Sequence, residues 1–137
     1  MFERLPASVS SLVNFSTDFG TAVLLFLIFA KIYELVTPYR EFDLIAQGNT
    51  AAACSLCGAF LGFAIPLASV IAHSMNLFDM AIWGIVALVV QVLTFFAVRL
   101  ILPRIVAGIP ANNIAQGIFL GSVSLLVGIL NAACMVE

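Results

Sequence analysis

Asn49-Thr-Ala-Ala-Ala-Cys-Ser-Leu-Cys-Gly-Ala-Phe-Leu-Gly-Phe-Ala-Ile-Pro-Leu-Ala-Ser69 decides the fold. No charge interrupts the run, and at about 1.5 Å per residue it is long enough to cross a bilayer core of about 30 Å. It is crowded with Ala, Gly, Ser and Cys, whose size lets two helices approach closely in lipid. The stretch is a membrane span with a face suited to a second helix.

Three more apolar runs surround it. The first span covers Thr17 to Val36 and ends at Thr37-Pro38, because the residue before a proline resists the helical region. The third covers Met80 to Leu102 and stops at Pro103; the fourth begins after Asn112-Asn113 and continues to Met135. Asn49, Asp79 and Asn113 stand where N-caps of the second, third and fourth spans belong. Pro66 is expected to kink the second. Phe2, Leu5, Val9, Leu12 and Val13 recur at helical spacing and predict an interfacial helix ahead of the first span.

Composition agrees. Of 137 residues, 64% are hydrophobic and 9% charged, against about 25% charged in soluble domains. A net charge of −2 without a basic stripe excludes a nucleic-acid partner. The first residues, Met1 to Pro6, lack the basic region and cleavage site of a secretory signal.

The chain repeats itself. Glu34-x-x-x-Pro38 answers Arg99-x-x-x-Pro103 at an offset of 65, and Gln47-Gly-Asn49-Thr-Ala51 answers Ala111-Asn-Asn113-Ile-Ala115 at an offset of 64. A two-span unit copied in tandem keeps its orientation, so these are parallel repeats. The expected fold is all-α, an integral membrane protein of four transmembrane helices built as two parallel two-helix repeats. Its divisions are an N-terminal interfacial segment (1–16), a first repeat (17–74) and a second (75–137). Lys31, Arg40, Arg99 and Arg104 flank the two long connections while Arg4 alone marks the other side, which predicts cytoplasmic connections and periplasmic termini.

Few residues suggest chemistry. Cys54-x-x-Cys57 resembles a redox or metal pair, but hydrocarbon disfavours its thiolates, and Cys134 and His73 belong near the opposite face. Small-residue packing is the preferred reading of both cysteines, and an interfacial hydrogen bond that of His73. Gln91 and Asn131 are neutral polar residues at membrane depth, suited to interhelical hydrogen bonds. Glu34 and Arg99 hold matching places in the repeats; a structural pair is preferred, a permeation or protonation site the alternative. Gly58-x-x-x-Gly62 and the row Gly117, Gly121, Ser124, Gly128 and Ala132 mark helix-packing faces. No catalytic, metal-ligating or cofactor-binding set emerges, so no enzyme and no cofactor is expected.

The chain resembles the YjfL-like bacterial inner-membrane proteins that share domain of unknown function three-fifty. The resemblance rests on Gln47-Gly-Asn49-x-Ala-Ala, Gly58-x-x-x-Gly62, the Ser74 to Asp79 turn, Gln91, Asn113-x-Ala-x-Gly117 and Asn131-Ala-Ala, nearly the whole chain. It implies a multi-pass inner (plasma) membrane protein of repeated two-span units, with no established activity and no catalytic residue to transfer. It also implies, by association, cytoplasmic partners among phage-shock-type membrane-stress proteins and ATP-grasp ligases. Two functions are carried forward: a homo-oligomeric, non-enzymatic scaffold presenting cytoplasmic loops to a partner in envelope stress, and, as the alternative, a small channel or transporter for an ion or small solute.

Overall fold

The computed structural model describes residues 7–73 and 76–135. Six helices follow in order: α1 (Ala7–Val36), α2 (Glu41–Ala46), α3 (Thr50–His73), α4 (Leu77–Ile101), α5 (Ile105–Gly108) and α6 (Ile114–Met135). α1, α3, α4 and α6 are each long and apolar enough to cross a membrane. The protein is therefore an all-α integral membrane protein with four spans. α1 runs unbroken from Ala7 to Val36. Phe2 and Leu5 of the expected interfacial helix, and Ser74 of the turn, lie outside the described residues.

α3 and α6 form the centre, with α4 against both and α1 against α3 and α4. Absent side chains explain the close approach of the central pair. A Cβ added at Gly58 would meet the backbone of Gly121, one at Gly117 the backbone of Ala51, and one at Gly128 the backbone of Gly62. Backbone touches backbone along the crossing, the arrangement small residues permit and larger ones forbid. Bulk fills the other side. Phe29 of α1 stacks on Phe63 of α3 with ring centroids 4.3 Å apart, and Phe26 meets Phe60 edge-on at 4.9 Å. α3 continues through Pro66, which is buried.

The connections are more ordered than their length suggests, each carrying a short helix, α2 or α5. Leu44 N–H donates to Arg40 O at 3.0 Å, and Gly108 N–H to Arg104 O at 2.8 Å. Asn49 N–H donates to Leu44 O at 2.9 Å, and Asn113 N–H to Gly108 O at 2.8 Å. Between these bonds each connection turns through one residue of positive φ, Gly48 at +87° and Asn112 at +63°. Glycine and asparagine are the residues that tolerate this backbone region. The two connections are also joined: Asn49 Nδ2 donates to Ile109 O at 2.9 Å, and Ala51 N–H to Asn112 Oδ1 at 3.1 Å.

Asn49 Oδ1 caps α3 by accepting from Ala52 N–H at 2.8 Å, and Asn113 Oδ1 accepts from Gln116 N–H at 3.3 Å ahead of α6. The third cap differs from expectation. Asn76, not Asp79, is the N-cap of α4, and its Oδ1 accepts from Asp79 N–H at 2.8 Å. Leu77 and Phe78 already belong to the helix, which leaves Asp79 in the first turn, where its charge favours the positive end of the helix dipole.

Candidate functional site

The site begins where α1 ends. Thr37 N–H donates to Tyr33 O at 3.0 Å, closing the last turn, and Pro38 prevents another. Arg40 adopts an extended backbone and α2 starts at Glu41, so the chain folds back beneath the bundle. This return leaves Arg40 and Asp43 outside, paired at 3.8 Å and well exposed, and turns Glu41 inward. Glu41 is completely buried.

A carboxyl group removed from water needs compensation, and here it receives little. Thr37 Oγ1 lies 2.9 Å from Glu41 Oε1, 3.2 Å from Tyr39 O and 3.3 Å from Glu34 O. A hydroxyl has one proton to donate, and Glu41 is its nearest acceptor. Among the described residues no basic side chain pairs with Glu41. Burial therefore pushes its pKa from about 4.5 up to about 8; the Thr37 hydrogen bond opposes the rise and the Glu34 charge adds to it. Burial, then the charge of Glu41, also drives the Tyr39 phenol upward.

Glu41 Oε2 has no hydrogen-bond partner, and neither have the hydroxyls of Tyr33, Tyr39 and Ser124 or the Oε1 of Gln91, all of them buried. These groups come from α1, the first connection, α4 and α6. Tyr33 lies within electrostatic reach of Glu41 and Tyr39 and beside Ser124, with its ring edge-on to Phe95 at 5.9 Å. Gln91 is wholly buried and donates through Nε2 to Ser124 O at 3.0 Å. Ser124 and Gln91 each lie ten residues inside their helices, about 15 Å from the connection end and near mid-bilayer. A line of polar groups thus runs inward from Glu41.

The remaining candidates lie apart from this line or beside it. Gly58, Gly62, Gly117, Gly121, Ser124 and Gly128 are buried in the α3–α6 crossing, and an added Cβ at Gly62 would come within 2.6 Å of Gln91 Nε2. Ser124 belongs to both sets. Asn131 is half-buried with Nδ2 unpartnered. Glu34 lines a hollow of about 360 Å³ with Lys31, Leu35, Arg40 and Asp43. Arg99 lines a separate, mostly apolar one with Phe96, Leu100, Pro103 and Val106, and no ion pair joins it to Glu34. At the far end Asp18 borders a hollow of about 350 Å³ with Asn14, Thr17 and Asn76. His73 bonds its own helix through Ser69 O at 2.8 Å, and Cys54, Cys57 and Cys134 are free thiols.

Sequence reasoning missed Glu41, Thr37, Tyr33 and Tyr39. Glu41 sits in a connection with two other charges and reads as solvated. The repeat expected from the sequence offered a usable signal: at its offset of 64, Glu41 falls opposite Ile105. Both residues open their short helix and both are fully buried.

Comparison with known proteins agrees with this architecture. A family model described as Domain of Unknown Function (DUF350) matches residues 7–135. UPF0719 inner membrane protein YjfL of Escherichia coli (strain K12) is 42% identical over 127 residues, covering 93% of this chain and 96% of that one. UPF0719 transmembrane protein YshE of Bacillus subtilis (strain 168) is 30% identical over 95 residues, covering 69% of this chain and 71% of the relative. No solved structure matches. With its matched length, its four spans and this level of identity, the chain belongs to the DUF350 family.

Proposed function

We propose that the protein is a small channel or transporter of the inner membrane that handles an ion, with Glu41 as its binding group. One observation carries the reading. At a fully buried helix start the first connection places a carboxyl group, and the matching position of the second holds Ile105. The fold thus accepts an apolar side chain at that place. Each buried, unpartnered polar atom costs about 1–3 kcal/mol, so a purely structural role would favour the isoleucine solution. An ionisable group buried at the end of a membrane bundle without a charged partner is by default a candidate ion or proton site.

The same comparison supports two parallel repeats, α1–α2–α3 and α4–α5–α6, whose connections share hydrogen bonds and a positive-φ turn at matching positions. Lys31, Arg40, Arg99 and Arg104 at the connection end support a cytoplasmic location for it. The homo-oligomeric scaffold reading draws less support from the geometry. Its small-residue faces are occupied within the chain by the α3–α6 crossing, so assembly with a second copy or a stress-related partner would need another surface.

Reconstituted vesicles test the proposal. Purified protein should raise proton or alkali-cation flux above that of protein-free vesicles, and Glu41→Gln should abolish the increment. Absence of any flux for protons, sodium and potassium refutes it.

A further inference from the structure

The polar line, and the hollow of charged residues near the Glu41 end of it, identify the ion. We propose that Glu41 is a reversible proton-binding site, fed from the hollow of Lys31, Glu34, Leu35, Arg40 and Asp43 and continued toward mid-membrane by the Tyr33 and Ser124 hydroxyls. The inference rests on the ion-handling reading and names its ion.

The chemistry of the unpartnered atoms points to a proton. Glu41 Oε1 accepts from Thr37, so the proton of the neutral carboxyl belongs on Oε2, the atom without a partner. Glu41 does not itself line the hollow, whose wall includes its neighbours Arg40 and Asp43 and the Glu34 that acts on it; hydronium that reaches the carboxyl gives its proton to Oε2, one O–H bond forming as another breaks, and leaves water behind. The Tyr33 and Ser124 hydroxyls can each accept one proton and donate another, which a chain that passes protons requires. Gln91, whose side-chain nitrogen is engaged with Ser124 O, ends the sequence. Glu34 belongs to both regions, lining the hollow and acting electrostatically on Glu41.

The surroundings hold Glu41 near neutrality. α1 brings Tyr33 and Glu34 toward it, the first connection brings Tyr39, and α2 keeps Asp43 paired with Arg40 at the surface. α3 packs against α2 and carries no charged side chain from Thr50 to Ala72, and the α6 residue beside Tyr33 is Ser124. The raised pKa of about 8 agrees with a carboxyl that gains and loses its proton in the physiological range.

The test uses the full chain in lipid nanodiscs. Infrared difference spectra between about pH 6 and about pH 10 should show the carbonyl stretch of a neutral carboxylic acid titrating above the ordinary carboxylate range. The band should vanish in Glu41→Gln, remain in Asp43→Asn and titrate at lower pH in Glu34→Gln. Should Glu41→Gln not fold, the wild-type protein suffices: a membrane-soluble carbodiimide should modify Glu41 roughly a hundred-fold faster at the lower pH, because it adds to the neutral acid. A band that survives Glu41→Gln, or carbodiimide labelling independent of pH, overturns the proposal. So does a midpoint that shifts with sodium or potassium concentration, which would make the ligand a metal cation. A titrating Glu41 in vesicles without flux would sink the transport reading and leave the proton site standing.

Discussion

Glycine-to-alanine substitutions at three depths of packing test the central crossing, because one added methyl group meets three different surroundings. At Gly121 the new Cβ would meet Cys54 O and lie 3.1 Å from Cys54 C and 3.4 Å from Ser55 Cα, all backbone atoms of α3. No rotamer relieves that contact, so the two helices must separate. A gap of about 0.5–1 Å forfeits a quarter to a half of each dispersion contact, and overpacking generally costs about 1–3 kcal/mol. Backbone on both sides places Gly121→Ala at the upper end, about 3 kcal/mol. At Gly84 the nearest atom is Leu25 Cδ1 at 3.0 Å, the end of a side chain that can turn aside. Its loss should stay below about 1 kcal/mol, since a flexible neighbour absorbs the strain.

Gly20 completes the series. Nothing lies within 4 Å of its added Cβ, and the residue is inside α1. Alanine there should stabilise by up to about 1 kcal/mol through helix propensity. Thermal unfolding in mild detergent, at fixed detergent and protein concentration, reads the order Gly20→Ala above wild type, Gly84→Ala slightly below it and Gly121→Ala far below. If Gly121→Ala unfolds at the temperature of Gly20→Ala, α3 and α6 do not touch through their backbones and the central pair is wrongly built.

Stability should also depend on pH through Glu41. Its pKa is raised on folding, from about 4.5 to about 8, so the folded form keeps a proton that the unfolded chain has lost; stability falls as pH climbs through that window and levels above it. Glu41→Gln should remove that slope in unfolding measured across the window. Asn49→Ala should cost about 2–4 kcal/mol, because it removes a cap and two bonds to the other connection. Asn113→Ala, which loses one exposed cap, should cost about 0.5–1 kcal/mol in the same thermal assay. In a background without the three native cysteines, Asp43→Cys should resist an impermeant thiol reagent applied outside intact cells and Asn76→Cys should react. The reverse result would place the connections outside.

The spans were legible because lipid imposes a simple rule. A backbone without water must satisfy its own hydrogen bonds, so uninterrupted apolar length reports a helix directly, and prolines and asparagines near the ends of the runs set most limits to within a few residues; the start of α1, already helical at Ala7 and not first at Thr17, carries no such marker. α2 and α5 were not legible. Each is too short for a periodic pattern, and they hold through tertiary bonds such as Asn49 Nδ2 to Ile109 O. The α4 cap was misplaced for a related reason: Asn76 and Asp79 both suit the position, and only the observed start at Leu77 decides between them.

The candidate site was hidden by the assumption that serves soluble loops, that a charge between two others faces water. Arg40 and Asp43 obey it, and Glu41 between them does not. The reversal at Pro38 turns Tyr39 and Glu41 inward, and local composition cannot say which residues of the connection follow the core. The proposed second copy can. Ile105, which the proposed repeat aligns with Glu41, is fully buried as well. If the chain is two parallel repeats, as proposed, a charge aligned with a buried aliphatic residue is a candidate for function, because the second copy would show what packing alone places there. Glu34 and Arg99 attracted notice as a pair of opposite charges at matching places, yet both border open hollows and neither is fully buried. The more informative mismatch pairs a charge with no charge at all.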